Sequence, residues 1–221
     1  MKTVDRIICK AILFDLDGTL IDSSAVIERV WRKWAIDRGL SVEEVLRASY
    51  GLRTLDAVTL LAPNSPVEEE AARIEANEIQ DLAGLRATPG ARKLLSSMDG
   101  IPWGIVTSGS YLLATARLKK VGLPVPPVLV SADEVERGKP DPQGYALAAQ
   151  MLAVPPGECL AFEDSPSGAR AALAAKMKVV LVGENDSYDL SDRVLVSIRD
   201  FYGVKIRQIA GGFVVQLPEK A

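Results

Sequence analysis

Two carboxylates stand one residue apart near the start of the chain, where Asp15 and Asp17 follow an apolar run and precede Gly18 and Thr19. Because side chains alternate between the faces of a strand, both aspartates are expected to leave the predicted strand on the same side. Two like charges held so close are costly unless a cation lies between them or one carboxyl group is protonated. Mg²⁺ prefers oxygen ligands, so the pattern predicts a magnesium site with further ligands elsewhere in the chain.

Three later segments also place polar groups directly after apolar runs or between turn residues. Thr107 and Ser108 lead into the predicted start of a helix, where hydroxyls and backbone amides bind anions. Lys139 is fixed between Gly138 and Pro140, and Glu163-Asp164 supplies two more carboxylates before a second helix start. Taken alone, each segment has an ordinary alternative, which is a helix cap for the first and third and a solvated lysine for the second.

Together the four segments predict the hydrolysis of a phosphate monoester. Mg²⁺ held by Asp15, Asp164 and the backbone carbonyl of Asp17 would reduce the repulsion between nucleophile and substrate. Lys139, Ser108 and nearby amides would bind the phosphoryl oxygens. Asp15 would attack phosphorus to give an aspartyl-phosphate. Asp17 would then serve as general acid and base, a contribution of about 10²- to 10⁴-fold.

The composition excludes several classes of function. The 26 basic and 29 acidic residues nearly balance, which gives no general attraction for nucleic acid or an anionic membrane surface. The chain contains no histidine, so Ser-His-Asp triads and histidine metal ligands are excluded. Cys9 and Cys159 belong to no zinc or redox motif and are expected to be buried, reduced and close together at the far end of the sheet. The apolar runs are too short for a leader or a spanning helix, so we expect a cytoplasmic monomer whose partner is a small molecule.

The spacing of apolar residues divides the chain into two kinds of segment. From residue 21 to 87, apolar residues recur at three- and four-residue steps and predict an all-helical segment, which we call the helical insert. Its four helices are predicted over 23–39, 41–50, 54–61 and 65–82. Trp31 and Trp34 lie on one face of the first helix and are expected to pack in a core, with an aromatic wall of a substrate pocket as the alternative.

The remaining segments, residues 1–20 and 88–221, alternate between strand and helix patterns. Because parallel strands need a crossover connection, this alternation predicts an α/β core with a doubly wound, Rossmann-like parallel sheet. Ligands of such sheets bind at the carboxyl ends of the strands, which is where all four polar segments fall. A hairpin is predicted over 204–217 and has no predicted function.

The four segments, in this order, resemble the motifs of the haloacid dehalogenase (HAD) superfamily. The resemblance covers essentially the whole chain, and the helical insert after the first motif is similar to the small helical cap of bacterial hexose and hexitol phosphate phosphatases and, more distantly, of β-phosphoglucomutase. It implies Mg²⁺-dependent hydrolysis of sugar phosphates, with Asp15 as nucleophile and Asp17 as general acid and base. It also implies that Thr107, Ser108 and Lys139 bind phosphate and that Asp15, Asp17, Asp164 and, less firmly, Glu163 bind the metal.

Three alternatives to a phosphatase are open at this stage. A dehalogenase would not need Asp17, because halide leaves without protonation. Phosphomutases of this kind use a cap histidine, which the chain lacks, so hydrolysis is the simpler outcome. A non-catalytic binding module would have no use for the complete set of charged groups. Specificity is expected to lie in the helical insert, where the segment 50–54 is either a plain connector or places Arg53 on the sugar side of the site.

Overall fold

The structure is a computed structural model that describes residues 5–183 and 194–218, so the outer limits of the predicted core segments at 1 and 221 lie outside the described residues. The strands are β1 (Arg6–Cys9), β2 (Ala11–Phe14), β3 (Ile21–Asp22), β4 (Arg86–Ala87), β5 (Trp103–Val106), β6 (Val128–Val130), β7 (Cys159–Glu163), β8 (Lys178–Val182), β9 (Val196–Ile198), β10 (Lys205–Ile209) and β11 (Gly212–Gln216). The helices are α1 (Ser24–Asp37), α2 (Val42–Ser49), α3 (Thr54–Leu61), α4 (Val67–Gln80), α5 (Ala91–Ser96), α6 (Tyr111–Val121), α7 (Gln143–Met151) and α8 (Pro166–Ala174).

Six strands form the central sheet, in the order β6-β5-β2-β7-β8-β9, and every pair in it is parallel. This confirms the predicted α/β fold class with a Rossmann-like parallel sheet. Strands β2 and β7 are neighbours, with Phe14 opposite Phe162 in the register. Both strands are buried along their whole length, as expected when helices cover both faces of a sheet. The residues that follow these two strands therefore meet at one edge.

Helices α1 to α4 lie between β3 and β4, which pair antiparallel as a short ribbon. These helices surround a hydrophobic cluster of their own, in which Trp31 and Trp34 are buried and their ring centroids lie 5.5 Å apart. The Ser41 side chain accepts a hydrogen bond from the Glu44 amide and caps α2, as its sequence position predicts. The four predicted helices are thus confirmed, and the third has the predicted bounds.

A second sheet contains the C-terminal hairpin, whose two strands β10 and β11 confirm the prediction over 204–217. Strand β1 pairs antiparallel with β11 and completes a three-stranded sheet that the sequence analysis did not predict. Cys9 lies on β1, whereas Cys159 lies on β7 opposite Ala11, so the two cysteines occupy different sheets rather than neighbouring strands of one sheet, although Cys159 is near enough to raise the pKa of Cys9. Both thiols are buried and free, as expected. No helix in the described part of the chain is long and apolar enough to cross a membrane.

Candidate active site

Three carboxylates from two neighbouring strand ends form the centre of the site. Asp15 directly follows β2, Glu163 ends β7, and Asp164 follows it. One oxygen from each residue lies within 4.8 Å of the others, and all three side chains are buried. Lys139 Nζ lies 2.5 Å from Asp15 Oδ1 and 2.6 Å from Glu163 Oε1. One ammonium group therefore faces three acids, which leaves the cluster with an excess of negative charge.

Glu163 uses both of its oxygens in the packing of this site. Its Oε1 accepts from Lys139 and from the Tyr145 hydroxyl at 3.0 Å. Its Oε2 accepts from the amides of Asp164 at 3.0 Å and Ser165 at 3.1 Å, and from the Ser165 hydroxyl at 3.1 Å. The carboxylate thus positions Lys139 and the loop that carries Asp164, and its service as a metal ligand stays a prediction.

The donor set fits a hard divalent cation. Asp15 Oδ2 is buried without a hydrogen-bond partner among the described residues, although its other oxygen is paired. Asp164 accepts from Thr19 Oγ1 at 3.2 Å and from the Tyr50 hydroxyl at 2.5 Å. A carboxylate oxygen without a donor, inside a cluster of excess negative charge, is the environment that Mg²⁺ or a similar ion satisfies.

Gly18 permits the close approach of the first motif to Asp164. It has a φ of +87°, and a Cβ atom at this position would lie 1.9 Å from Asp164 Oδ2. Any side chain here would therefore both strain the backbone and displace a carboxylate of the site.

Burial shifts the ionisation of these groups in the directions expected for crowded acids. Burial raises the pKa of Asp15 well above its usual range, against the opposing charge of Lys139. Burial and the neighbouring Glu163 raise the pKa of Asp164 to about 7. For Lys139, burial lowers the pKa, but the ion pairs with Asp15 and Glu163 outweigh burial and leave it above its usual value. Lys139 is therefore charged, but its single positive charge does not balance the three neighbouring carboxyl groups.

The predicted anion-binding segment follows β5 beside this cluster. Thr107 and Ser108 line the same cavity as Asp15. Thr107 Oγ1 accepts from the Gly109 amide at 3.2 Å, and the Ser110 side chain caps α6 by accepting from the Leu113 amide at 3.3 Å. Hydroxyls and amides at the beginning of a helix are thus positioned beside the carboxylates, as phosphate binding requires.

The helical insert contacts the core through the loop that follows α2. The carbonyl oxygen of Gly51 accepts from Ser108 Oγ at 3.0 Å and from Ser167 Oγ at 3.1 Å. Its neighbour Tyr50 donates to Asp164. Gly51 has a φ of +74°, and a Cβ atom there would lie 2.5 Å from Ser167 Oγ. This loop therefore brings the insert onto two of the four motif segments at once.

Arg53 lies beside the Lys139 loop rather than in the wall of the cavity that holds Asp15. Its Nε and Nη2 donate to Asp56 at 2.7 and 2.8 Å, and its Nη1 donates to the carbonyl of Val135 at 3.0 Å. A Cβ atom on Gly138 would lie 2.6 Å from Arg53 Nε. The contact between Arg53 and a sugar stays a prediction.

Two charged residues of the site were not found by sequence reasoning. Arg117 in α6 pairs with Asp17 Oδ2 at 2.6 Å through Nη1 and with Glu78 Oε2 in α4 at 2.8 Å through Nη2. Both Arg117 and Glu78 occupy the buried side of their helices, at positions where the helical period calls for apolar residues. A charged residue at a position where the helical period predicts an apolar one could have identified both residues from the sequence.

The cavity between core and insert has a volume of about 90 Å³. From the core it is lined by Asp15, Asp17, Asp164 and the segment 107–109, and from the insert by Trp31, Glu78 and residues 49–52. Trp31 thus serves both as core and as cavity wall, whereas the Trp34 ring nitrogen donates to Glu70 at 2.8 Å inside the insert. The cavity thus lies between the strand ends of the core and the helical insert.

Buried carboxylates beside a charged lysine lie at the carboxyl edge of a parallel sheet, an arrangement suited to hydrolysis. The family model described as haloacid dehalogenase-like hydrolase matches residues 9–176, and the chain belongs to this family.

Named relatives and a solved structure agree with this assignment. The chain is 46% identical over 179 residues to hexitol phosphatase A of Escherichia coli, which covers 79% of this chain and 83% of that protein. It is 34% identical over 193 residues to glycerol-1-phosphate phosphohydrolase 2 of Saccharomyces cerevisiae, covering 81% and 76%. The crystal structure of CbbY from Rhodobacter sphaeroides in complex with phosphate shares the fold, with a TM-score of 0.78, 23% identity and coverage of 88% of this chain and 96% of that one.

Proposed function

We propose that this protein is a Mg²⁺-dependent phosphatase of small sugar and polyol phosphates that works through an aspartyl-phosphate on Asp15. The observation that carries the proposal is the buried, unpartnered Oδ2 of Asp15, held beside Lys139 and Asp164 at the strand ends. A carboxylate oxygen that no donor occupies is available to attack phosphorus, and Asp15 lines the cavity between core and insert.

In this proposal the carboxylates of Asp15 and Asp164 and the backbone carbonyl of Asp17 hold the magnesium ion. When bound, the ion neutralises charge on the phosphoryl group and lowers its repulsion from the nucleophile. Glu163 positions Lys139 and the loop that carries Asp164, and its carboxylate is also proposed as a metal ligand.

The chain's own residues account for both chemical steps. Asp15 Oδ2 forms a bond to phosphorus as the ester P–O bond breaks, and Asp17 gives its proton to the departing alcohol oxygen. Asp17 then takes a proton from water, whose oxygen attacks phosphorus and releases Asp15 and inorganic phosphate. Two displacements thus replace one slow hydrolysis.

Phosphate recognition is assigned to Lys139, Thr107 and Ser108 together with the amides before α6. Lys139 is buried and charged, so it presents a fixed positive charge to the phosphoryl oxygens as well as to Asp15. The hydroxyls of Thr107 and Ser108 line the cavity on the side of the helix start. Preorganised donors of this kind carry most of the stabilisation in phosphoryl transfer.

The helical insert, residues 21–87, is proposed to be a cap domain over a core of residues 1–20 and 88–221. It supplies the walls of the cavity that face away from the strand ends, including Ser49, Trp31 and Glu78. Polar and aromatic groups together suit the hydroxyls and carbon faces of a sugar or polyol. Arg53 is proposed to act at the same boundary, where it joins the insert to the Lys139 loop.

The two named relatives support the substrate class, since one is a hexitol phosphatase and the other a glycerol-1-phosphate phosphohydrolase. The free buried thiols fit a reducing compartment, which supports the proposed cytoplasmic location of the protein. We also propose that it is a monomer.

The test is phosphate release by the purified protein, freed of metal and then supplied with Mg²⁺, on hexitol, hexose and glycerol phosphates. We expect turnover that depends on Mg²⁺, ranks these substrates by kcat/KM, and disappears in D15N but not in D22N, since Asp22 lies exposed on β3. Absence of Mg²⁺-dependent phosphate release, or interconversion of sugar phosphates without release, would contradict the proposal.

A further inference from the structure

A buried arginine links the proposed acid and base to the helical insert. Arg117 is 2% exposed and donates from separate guanidinium nitrogens to Asp17 of the core and Glu78 of the insert. Its own helix, α6, belongs to the core, and it lines the cavity together with both acids. The ion pairs Asp17–Arg117–Glu78 therefore cross the boundary between the two parts of the chain.

We propose that Arg117 is the positioning residue for Asp17, and that Glu78 makes this positioning depend on the contact between insert and core. The proposal rests on the proposed function, in which Asp17 protonates the departing alcohol. Arg117 itself touches neither the phosphorus nor the nucleophile in this account.

The hydrogen-bonding capacity of arginine decides which oxygen of Asp17 can act. A guanidinium group has donors only, so Asp17 Oδ2, which faces Arg117, must accept and cannot carry the transferable proton. The other oxygen, Oδ1, is buried and has no hydrogen-bond partner among the described residues. Arg117 thus leaves Oδ1 as the oxygen that serves the departing alcohol.

The planar guanidinium fork makes this positioning depend on Glu78. Nη1 and Nη2 belong to one rigid plane, so the bond from Nη2 to Glu78 fixes the direction in which Nη1 meets Asp17. The other buried residues of the Arg117 helix, among them Leu113, Ala114 and Leu118, have side chains without an acceptor atom. Movement of α4 away from the core would remove one of its two partners.

A comparison of two leaving groups distinguishes the positioning of Asp17 from a purely structural role of Arg117, which would affect both substrates equally. An alkyl or sugar oxygen must be protonated as it leaves, whereas the oxygen of an aryl phosphate such as p-nitrophenyl phosphate leaves readily as an anion. The value of kcat/KM reports the steps up to transfer of the phosphoryl group to Asp15, which include this protonation. The ratio of kcat/KM for sorbitol 6-phosphate to that for p-nitrophenyl phosphate therefore measures the positioning of Asp17.

The variants to compare are R117M, R117K and E78Q, with E70Q as the matched control. Glu70 lies on the same helix as Glu78, is also buried, and also pairs with arginines, but these are Arg38 and Arg73 inside the insert. The E70Q variant therefore shows how activity changes when α4 loses a buried acidic group that does not contact Asp17.

We expect R117M to lower kcat/KM for sorbitol 6-phosphate by about 10²-fold, the usual lower bound for lost proton transfer, with a much smaller loss on the aryl phosphate. R117K should recover part of the ratio, because it keeps the charge but not the planar fork. E78Q should lower the ratio by about tenfold, as one charge-assisted hydrogen bond is weakened. E70Q should leave the ratio at the wild-type value.

A ratio of kcat/KM values that is unchanged in both R117M and E78Q, whether or not activity falls, would overturn the positioning role. The phosphatase proposal would still stand, provided that the wild-type protein turns over substrate. If R117M does not fold, the ratio in E78Q decides the question, since glutamine keeps the shape of the side chain. A wild-type protein that releases no phosphate from either substrate would overturn both proposals.

Discussion

Lys139 Nζ lies 2.5 Å from Asp15 Oδ1, although 124 positions separate the two residues in the chain. The same ammonium group holds Glu163 at 2.6 Å, so one side chain joins the ends of the neighbouring strands β2 and β7. Both acids and the lysine are buried, and each depends on the others to satisfy its charge.

Removal of this lysine should therefore cost stability as well as activity. K139M leaves Asp15 and Glu163 as buried acids without their cation, which typically costs about 3–5 kcal/mol. Urea unfolding in the absence of metal measures this loss. The control is K10M, because Lys10 pairs with Glu158 at the surface, where both side chains are about half exposed and a pair contributes about 0–1 kcal/mol. Equal stability of K139M and K10M would contradict the buried ion-pair network.

Gly18 and Gly39 allow the effect of backbone strain to be separated from the effect on the site. Both have positive φ, +87° and +63°, but a Cβ atom at Gly18 would meet Asp164 at 1.9 Å, whereas nothing lies within 4 Å at Gly39. We expect G39A to lose about 1–2 kcal/mol with unchanged kcat. G18A should lose the same stability and, in addition, most of its turnover. Turnover in G18A equal to that in G39A would show that the contact with Asp164 is unimportant.

Much of this fold was predictable because its signals are local. Helix α3 has the predicted bounds, and β2, β5 and β7 lie where apolar runs end in polar residues. Strand β1 was not predicted, because its four residues carry no distinct local pattern and its strand conformation depends on pairing with the distant β11. Pairing partners far along the chain leave no mark in a local pattern.

The site was predictable to the same extent. Asp15, Lys139 and Asp164 carry chemistry that is recognisable from residue type and position, and the structure brings them together. The contacts of Tyr50 with Asp164 and of Arg117 with Asp17 depend on how the helical insert packs against the core. The sequence does not show how the insert packs against the core. However, an arginine on the buried face of a helix, as at Arg117, indicates that an acidic partner is needed.

Metal binding should be visible as stabilisation that is independent of turnover. A ligand that binds only the folded state adds about 2.7 kcal/mol at a hundred times its Kd. We expect Mg²⁺ to raise the thermal midpoint of the wild-type protein and to have little effect on D164N, because the substitution removes one of the side-chain carboxylates assigned to the ion. Calorimetry with and without chelator measures both. Stabilisation of D164N equal to that of the wild type would contradict the assigned ligands.

The two thiols should be unreactive in the folded protein. Burial raises the pKa of Cys9 and of Cys159 to about 11. At about pH 8, each therefore holds less thiolate than an ordinary cysteine, whose pKa is about 8.5. We expect iodoacetamide to label both cysteines rapidly only in denaturant, and to label the native protein slowly, at a rate that rises with pH. Rapid labelling of the native protein at about pH 8 would show that the thiols are accessible.

The central claim is that Asp15 becomes phosphorylated during turnover. The most direct measurement is acid quenching of the enzyme with radiolabelled substrate during the first turnover, followed by borohydride reduction and mass spectrometry of the peptide that carries the label. We expect label on the protein and reduction at Asp15, with Asp17 in the same peptide unmodified and no label in D15N. Turnover without labelled protein, or reduction at any other aspartate, would contradict this claim.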